Sequence, residues 1–174
     1  MKMHDTARQL AKQFADKYIL IPFAADVLDV GSYDVNGKLY EVLPDGVIYT
    51  GIDQVPGPNV HALVTAQGNF PFDDDSFDFV VSSSCFEHDR FFWLTFIEMM
   101  RVLRPGGYIY INAPSAGPYH AYPGDCWRFY PDAGQALVDY ARRVGFDCDL
   151  VECFIYPEGE FKDFVMVVKK NGND

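Results

Sequence analysis

The sequence has few basic residues and a large excess of acidic ones. Lys and Arg together number 14, against 25 Asp and Glu, so the formal net charge is −11. An acidic surface repels phosphate backbones and anionic membranes, so we expect neither nucleic acid nor a membrane as a partner. The same charge favours a ligand that is itself cationic.

Paired cysteines and long apolar runs are also lacking. The four cysteines are scattered without a CxxC pair, which is typical of reduced thiols in a cytosolic protein. The start of the chain has no apolar signal core, and the most apolar segment, 19–30, is broken by Pro22, Asp26 and Asp29. No segment reaches the ~20 apolar residues that a membrane span needs. We therefore expect a cytoplasmic protein.

Strand-like and helix-like segments alternate along the chain. Its length of 174 residues predicts a single domain over 1–174, with an N-terminal helix in 1–22 and a core in 25–170. Strands are predicted at 25–30, 47–52, 60–65, 77–82, 108–113, 148–155 and 161–168, and helices at 4–18, 38–43, 91–103 and 132–144. Asp132 is expected to cap the last helix and Gly145 to end it. This alternation predicts an α/β fold with a mainly parallel sheet covered on both faces, and the short link 157–160 predicts a terminal antiparallel hairpin.

The loop after the first predicted strand has one glycine where dinucleotide folds have two. Gly31 follows the strand, but Tyr33 stands where a second glycine would let the backbone approach a pyrophosphate. The loop therefore argues against NAD or FAD and fits a ligand without a pyrophosphate, or an ordinary strand-to-helix turn. Asp53, at the end of the second predicted strand, could bind a ribose diol or be a solvated carboxylate.

Five motifs occur in an order that resembles a known family. They are Asp29-x-Gly31, Asp53, residues 70–78, Phe86-Glu87-His88 and residues 101–107. Over about residues 25–170 the chain resembles class I S-adenosylmethionine-dependent methyltransferases, of the broad group called methyltransferase type 11. Its first loop and residues 125–129 resemble uncharacterised members, some of which are associated with surface glycans.

The resemblance implies a Rossmann-like three-layer sandwich, a seven-stranded, mainly parallel sheet with the last strand antiparallel, and S-adenosyl-L-methionine as the cofactor. Residues 29–32 would hold its methionine part, Asp53 the ribose, the loop before Phe70 the adenine, and residues 83–85 would pass below the sulfonium. A side chain at position 31 would then intrude on the cofactor. The implied cofactor-binding residues are Asp29, Gly31, Ser32, Tyr33, Asp53, Gln54, Asn69, Phe70, Ser83 and Ser84.

The chain departs from the family pattern at two positions. Tyr33 replaces the second glycine, and residues 65–69 contain no acid to face the adenine amino group. These departures support a second hypothesis, a non-catalytic binding or scaffold domain with a degenerate cofactor loop.

Two histidines lie in the loops that should flank the methyl group. A hydroxyl or amine acceptor must lose a proton, so His88 and His120 are candidate catalytic bases; the alternative is that both are structural. Methyl transfer to O or N of a small molecule or glycan is the leading hypothesis. Candidate substrate-binding residues in the aromatic segment nearby are Tyr119, Tyr122, Asp125, Trp127 and Arg128.

Three questions about this region stay open at the sequence level. Asp125 and Arg128 could instead pair within a packed lid, with Trp127 over the core. Glu87, His88, Asp89 and His120 show no metal-ligand spacing, so no metal is predicted. Little chain lies beyond the core sheet, so a second subunit, in a homodimer, could close the site.

Overall fold

The computed structural model describes residues 5–20, 24–34, 37, 39–121 and 124–172. The helices and strands of these residues are α1 (Asp5–Tyr18), β1 (Asp26–Val30), β2 (Ile48–Asp53), β3 (Ala62–Leu63), β4 (Phe77–Ser83), α2 (Phe92–Val102), β5 (Leu103–Pro114), α3 (Pro131–Arg143), β6 (Cys148–Ile155) and β7 (Asp163–Lys170). A short 3-10 turn, Leu39–Val42, follows β1. None of the helices described is long and apolar enough to cross a bilayer.

The strands form one seven-stranded sheet in the order β3-β2-β1-β4-β5-β7-β6. The strands from β3 to β5 are parallel, whereas β7 runs antiparallel between β5 and β6. This arrangement confirms the predicted Rossmann-like sheet and its terminal hairpin. The strand order reverses between β1 and β4, and ligands in such sheets bind beyond the carboxyl ends of the strands at that point.

Two apolar layers hold the sheet between helices. Successive side chains of a strand point to opposite faces, so neighbouring residues join different layers. Val27 and Tyr110 pack with α1 and the 3-10 turn, whereas Leu28 and Ile109 pack with α2 and α3. The rings of Phe14 in α1 and Tyr110 lie 4.8 Å apart between centroids, which fixes α1 against the middle of the sheet.

β5 begins earlier than the sequence predicts. Residues 104–107 were expected to separate α2 from a strand starting at Tyr108, but Leu103 already pairs with Phe77 and the ladder resumes at Tyr108 opposite Phe79. The residues between form a β-bulge. Proline and glycine residues after a helix predict its end, but they do not tell whether a loop or a bulged strand follows. A Cβ on Gly107 would lie 2.5 Å from a backbone oxygen of β4, so the bulge needs glycine there.

Two other details differ from the expectations. Tyr130, not Asp132, is the N-cap of α3, because Pro131 takes the first helical position; Asp132 still places its charge favourably in the first turn. The third strand is two residues long rather than spanning 60–65. Gly145 follows α3 with φ of +108°, as expected of the residue that ends it.

Candidate active site

The loop after β1 is tied to the end of β2. The four consecutive N–H groups of residues 31–34 all donate within the protein: two to the Ile52 carbonyl at 2.9 and 3.1 Å, one to the Asp53 carboxylate at 3.2 Å and one to the Pro58 carbonyl at 3.2 Å. This loop can therefore offer a ligand acceptors, but not these donors.

Gly31 has a left-handed backbone, with φ of +81°. A Cβ at this position would lie 2.5 Å from Cβ and Sγ of Cys85, at the end of β4. The described neighbour that excludes a side chain is thus Cys85, and a substitution at Gly31 would test this packing as well as any cofactor contact. The close approach places the loops after β1 and β4 side by side.

Asp53 ends β2 and is partly exposed. Its two carboxylate oxygens accept hydrogen bonds from the N–H groups of Tyr33, at 3.2 Å, and Val55, at 3.1 Å. A carboxylate has about four lone-pair sites, so the two that remain can accept ribose hydroxyls. The backbone contacts hold the carboxylate in place before a ligand arrives.

Tyr33 points toward the loop after β2. Its ring packs directly against Gly57, where no side chain would fit. The residue that replaces the second glycine therefore fills a space inside the protein next to Asp53. Gln54, in the same loop, is exposed.

Asp29 belongs to a buried polar network that the sequence did not reveal. It accepts a hydrogen bond from the Tyr49 hydroxyl at 2.6 Å, and that hydroxyl accepts one from Asn59 Nδ2 at 2.5 Å. Asn59 Nδ2 also donates to the Ser32 carbonyl at 3.2 Å, and Ser32 Oγ donates to the Asn59 carbonyl at 3.1 Å. Burial raises the pKa of Asp29 to about 7.

The segment predicted to contact adenine is only partly available. The Phe70 ring lies in the core, and its N–H donates to Glu98 of α2 at 2.8 Å. Asn69 is exposed, and its N–H donates to Thr65 Oγ1 at 3.0 Å. Of the two, Asn69 presents its side chain to a ligand.

The end of β4 is held by a second polar network. Ser84 has φ of +53°, and its N–H donates to the Asn112 carbonyl of β5 at 3.0 Å. Ser83 Oγ donates to Asn112 Oδ1 at 3.4 Å, and Asn112 Nδ2 donates to Asp163 Oδ1 at 3.1 Å. These contacts set the path by which the chain leaves β4.

The chain then brings the two predicted catalytic histidines together. The rings of His88 and His120 lie 5.0 Å apart between centroids. His88 Nδ1 contacts the Gly124 carbonyl, and His120 Nδ1 lies 2.7 Å from Asp125 Oδ2. Because both partners can accept, each Nδ1 is placed to donate a hydrogen bond, and Nε2 is then the ring atom available to a ligand.

Glu87 completes this cluster, although the sequence predicted neither a catalytic nor a metal-binding role for it. Its Oε1 lies 3.5 Å from His88 Nε2, and its buried Oε2 has no hydrogen-bond partner among the described residues. Burial raises the pKa of Glu87 to about 8 and lowers that of His88. The only sequence sign was its place beside His88 in the Phe86-Glu87-His88 motif.

Hydrogen bonds hold residues 125–128 of the aromatic segment beside the cluster. Arg128 binds both carboxylate oxygens of Asp125 and holds the pKa of that carboxyl well below its ordinary value. Trp127 donates from Nε1 to the Asp89 carbonyl at 2.9 Å. Tyr119 is 75% exposed, and Tyr122 lies outside the described residues. The Asp125–Arg128 pair is the one that the packed-lid alternative proposes.

Comparison with known proteins places the chain in a family. The model of the methyltransferase domain family matches residues 6–111, more than half of the chain. An uncharacterised methyltransferase of Mycobacterium leprae is 31% identical over 154 residues, which are 81% of this chain and 56% of that relative. The chain belongs to the methyltransferase domain family. It spans about half the length of this curated relative.

Solved structures share the fold of this methyltransferase domain. The Burkholderia thailandensis 1,6-didemethyltoxoflavin-N1-methyltransferase, with bound 1,6-didemethyltoxoflavin and S-adenosylhomocysteine, matches with a TM-score of 0.70 at 17% identity, over 97% of this chain and 80% of its own. The cyclase SpnF matches with a TM-score of 0.69 at 13% identity, over 99% of this chain and 85% of its own. At these identities the likeness shows the fold alone.

The family and fold indicate S-adenosylmethionine as the cofactor, and the residues at the crevice fit it. Besides a carboxylate, which the engaged N–H groups of residues 31–34 do not bind, the molecule brings hydrogen-bond donors, namely its ammonium group and ribose hydroxyls, and a sulfonium cation. The methyltransferase domain offers the Asp53 carboxylate and a loop whose N–H groups at 31–34 are already engaged. The Asp53 carboxylate of the protein would face the hydroxyl donors and positive charge of the cofactor, so this side of the crevice suits those groups.

Proposed function

We propose that this methyltransferase domain transfers the methyl group of S-adenosylmethionine to a hydroxyl or amine of a small molecule or glycan. The observation that carries the proposal is the pairing of His88 and His120 beside the loop after β1. The link between the two sides is Cys85, which touches Gly31 and precedes His88 by three residues. A cofactor on Asp53 and an acceptor on the histidines would therefore meet at one crevice.

The histidine pair is suited to the proton transfer that such an acceptor needs. Methyl transfer is an in-line displacement at carbon, so alignment of acceptor and sulfonium supplies much of the rate. The acceptor proton must also leave, and a neutral imidazole with a free Nε2 can take it. Burial lowers the pKa of His88, which keeps this ring neutral at pH 7. The partly exposed face of His120 gives the acceptor access.

The cofactor side is tested by calorimetric titration of S-adenosylmethionine into Asp53→Asn. This change removes the charge and one strong acceptor, so we expect affinity to fall by roughly 1–3 kcal/mol, about 5- to 150-fold. Asp45→Asn, an exposed carboxylate at the opposite end of β2, is the matched control and should bind as the wild type does. Equal affinity of both variants, with both folded, would remove Asp53 from the cofactor site.

A non-catalytic binding or scaffold domain is the second candidate. It is favoured by the Tyr33 ring, which fills the space over Gly57, and by the absence of an acid in residues 65–69. A degenerate domain of this kind should give no binding heat with S-adenosylmethionine. The single-domain organisation and the homodimer remain predictions, and sedimentation of the purified chain would test the second.

A further inference from the structure

We propose that Glu87, His88 and His120 form a binding site for a divalent transition-metal cation. One ligand atom from each of the three residues lies within 4.8 Å of the other two. Two imidazoles and a carboxylate are a ligand set of Zn²⁺ and related cations, and the imidazoles disfavour Mg²⁺. The proposal is independent of methyl transfer, because cation binding requires neither cofactor nor acceptor.

The hydrogen bonds around the histidines orient them for coordination. A metal-binding histidine ordinarily donates its other ring N–H to a carboxylate or backbone carbonyl, which fixes its tautomer and ring plane. His120 has Asp125 in this role, and His88 has the Gly124 carbonyl. Asp125 is itself fixed by Arg128. Both Nε2 lone pairs are therefore left for a ligand.

Glu87 supplies a second, independent observation. Its Oε2 is buried without a hydrogen-bond partner among the residues described, and an unmatched buried carboxylate oxygen is unfavourable. A cation held by Glu87 and the two imidazoles would take the place of a proton on this carboxyl group. Arg128 acts on Glu87 through its charge but gives Oε2 no hydrogen bond, since its guanidinium donates to Asp125 and to the Pro118 carbonyl.

The site has one closed side and one open side. The side chain of Glu87 is 4% exposed and that of His88 18%, whereas that of His120 is 33% exposed. Ligand bonds of ~2.0–2.2 Å would draw the three atoms roughly 1 Å closer together, a movement within reach of side-chain rotation. Three protein ligands and an accessible face are the arrangement of cation sites that keep a position for water or substrate.

A bound cation would change the role of the two histidines. As ligands they could not also take the acceptor proton through Nε2. An acceptor hydroxyl coordinated at the open position would instead lose its proton more readily, because the cation stabilises the oxyanion. A chelator should therefore lower any transfer activity that depends on the cation, and it should not lower an activity that uses a histidine as the base.

The test is calorimetric titration of Zn²⁺ into the chelator-treated full chain. We expect one Zn²⁺ per chain, with affinity at least tenfold lower in Glu87→Gln and in His120→Ala. Cys126→Ser, which removes an exposed thiol near the cluster, is the matched control and should keep the wild-type affinity. Thermal unfolding without metal shows whether each variant is folded; if His120→Ala does not fold, Glu87→Gln decides alone.

Two results would overturn the proposal. One is the absence of stoichiometric Zn²⁺ binding to the wild-type chain, and the other is unchanged affinity in Glu87→Gln. S-adenosylmethionine is titrated into the same samples in the presence of chelator. Cofactor binding without Zn²⁺ binding would reject the cation site alone, and Zn²⁺ binding without cofactor binding would reject the proposed methyl transfer alone.

Discussion

Asp29 shows how one residue can hold a polar network in the middle of an apolar strand. It lies buried in β1 and accepts the hydrogen bond of Tyr49, which is joined in turn to Asn59. The network connects the carboxyl ends of β1 and β2 behind the cofactor loop. A protonated Asp29 is favoured by burial, whereas its charged form is not.

We predict that Asp29→Asn makes the stability of the protein less sensitive to a rise in pH from about 4 to 7. The folded pKa of about 7 lies above the ordinary value of 3.8, so the folded state binds the extra proton and loses stability as pH rises from about 4 to 7. Asparagine keeps an acceptor for Tyr49 without the charge. Its free energy of unfolding relative to wild type should rise by about 2–4 kcal/mol between pH 4 and pH 8.

Urea denaturation of both proteins across this pH range measures the difference. The free energy of unfolding of Asp45→Asn, a change on an exposed turn, should follow that of the wild type at every pH. Parallel curves for Asp29→Asn as well would show that Asp29 does not change its protonation in this interval.

At the scale of elements, strand ends rather than strand interiors shape the candidate site. The bulge at 104–107 lets β5 start directly after α2, and Arg104 anchors it through Asp26 at 2.8 Å and Asp78 at 2.9 Å. The opposite end of β5 carries Asn112, which positions Ser83 and Ser84. The register between β4 and β5 therefore determines where Ser83 and Ser84 lie at the candidate site.

We predict that Gly107→Ala destabilises the fold by about 1–3 kcal/mol. An added Cβ would meet a backbone oxygen of β4 and the Leu103 side chain, so the bulge would have to move. The matched control is Gly124→Ala, whose Cβ would meet nothing within 4 Å and should change stability little. Chemical denaturation compares the two; equal stabilities would mean that the bulge adapts without strain.

At the scale of the whole molecule, charge and topology together favour a cationic cofactor. The net charge of −11 is joined at the carboxyl edge of the sheet by the partly exposed carboxylate of Asp53. The fold does not by itself decide the chemistry, because a cyclase shares it. Binding of S-adenosylmethionine is therefore the property that separates a domain with a functional cofactor site from a domain with a degenerate loop.

We predict that S-adenosylmethionine raises the melting temperature of the whole chain. At a free concentration of about 100 times Kd the folded state gains ~2.7 kcal/mol, which for a domain of this size corresponds to roughly 5–11 °C. NADH should not shift the melting temperature, because Tyr33 stands where a second glycine would let the backbone approach a pyrophosphate. A shift with NADH but not with S-adenosylmethionine, measured by scanning calorimetry, would contradict the assignment of the cofactor.

The sequence by itself determined the layers, the mainly parallel sheet and its final hairpin. These depend on period-two burial, helical spacing and a four-residue link, all of which are local signals. It also placed Gly31 and Asp53 at the carboxyl ends of two successive strands. Because these strands are parallel, both residues lie at the same edge of the sheet. It could not show that Tyr33 packs on Gly57 or that Asp29 joins Tyr49, because both contacts cross between loops.

Only the tertiary structure decided what surrounds the histidines. His88 and His120 lie in loops after different strands, and the path of the segment after β5 determines whether they meet. No ligand spacing along the chain predicted a metal, yet folding brings Glu87 to both rings and places Asp125 behind one of them. Side chains far apart in sequence converge because parallel strands deliver their following loops to one edge, and packing of those loops, which has no local signature, sets the distances.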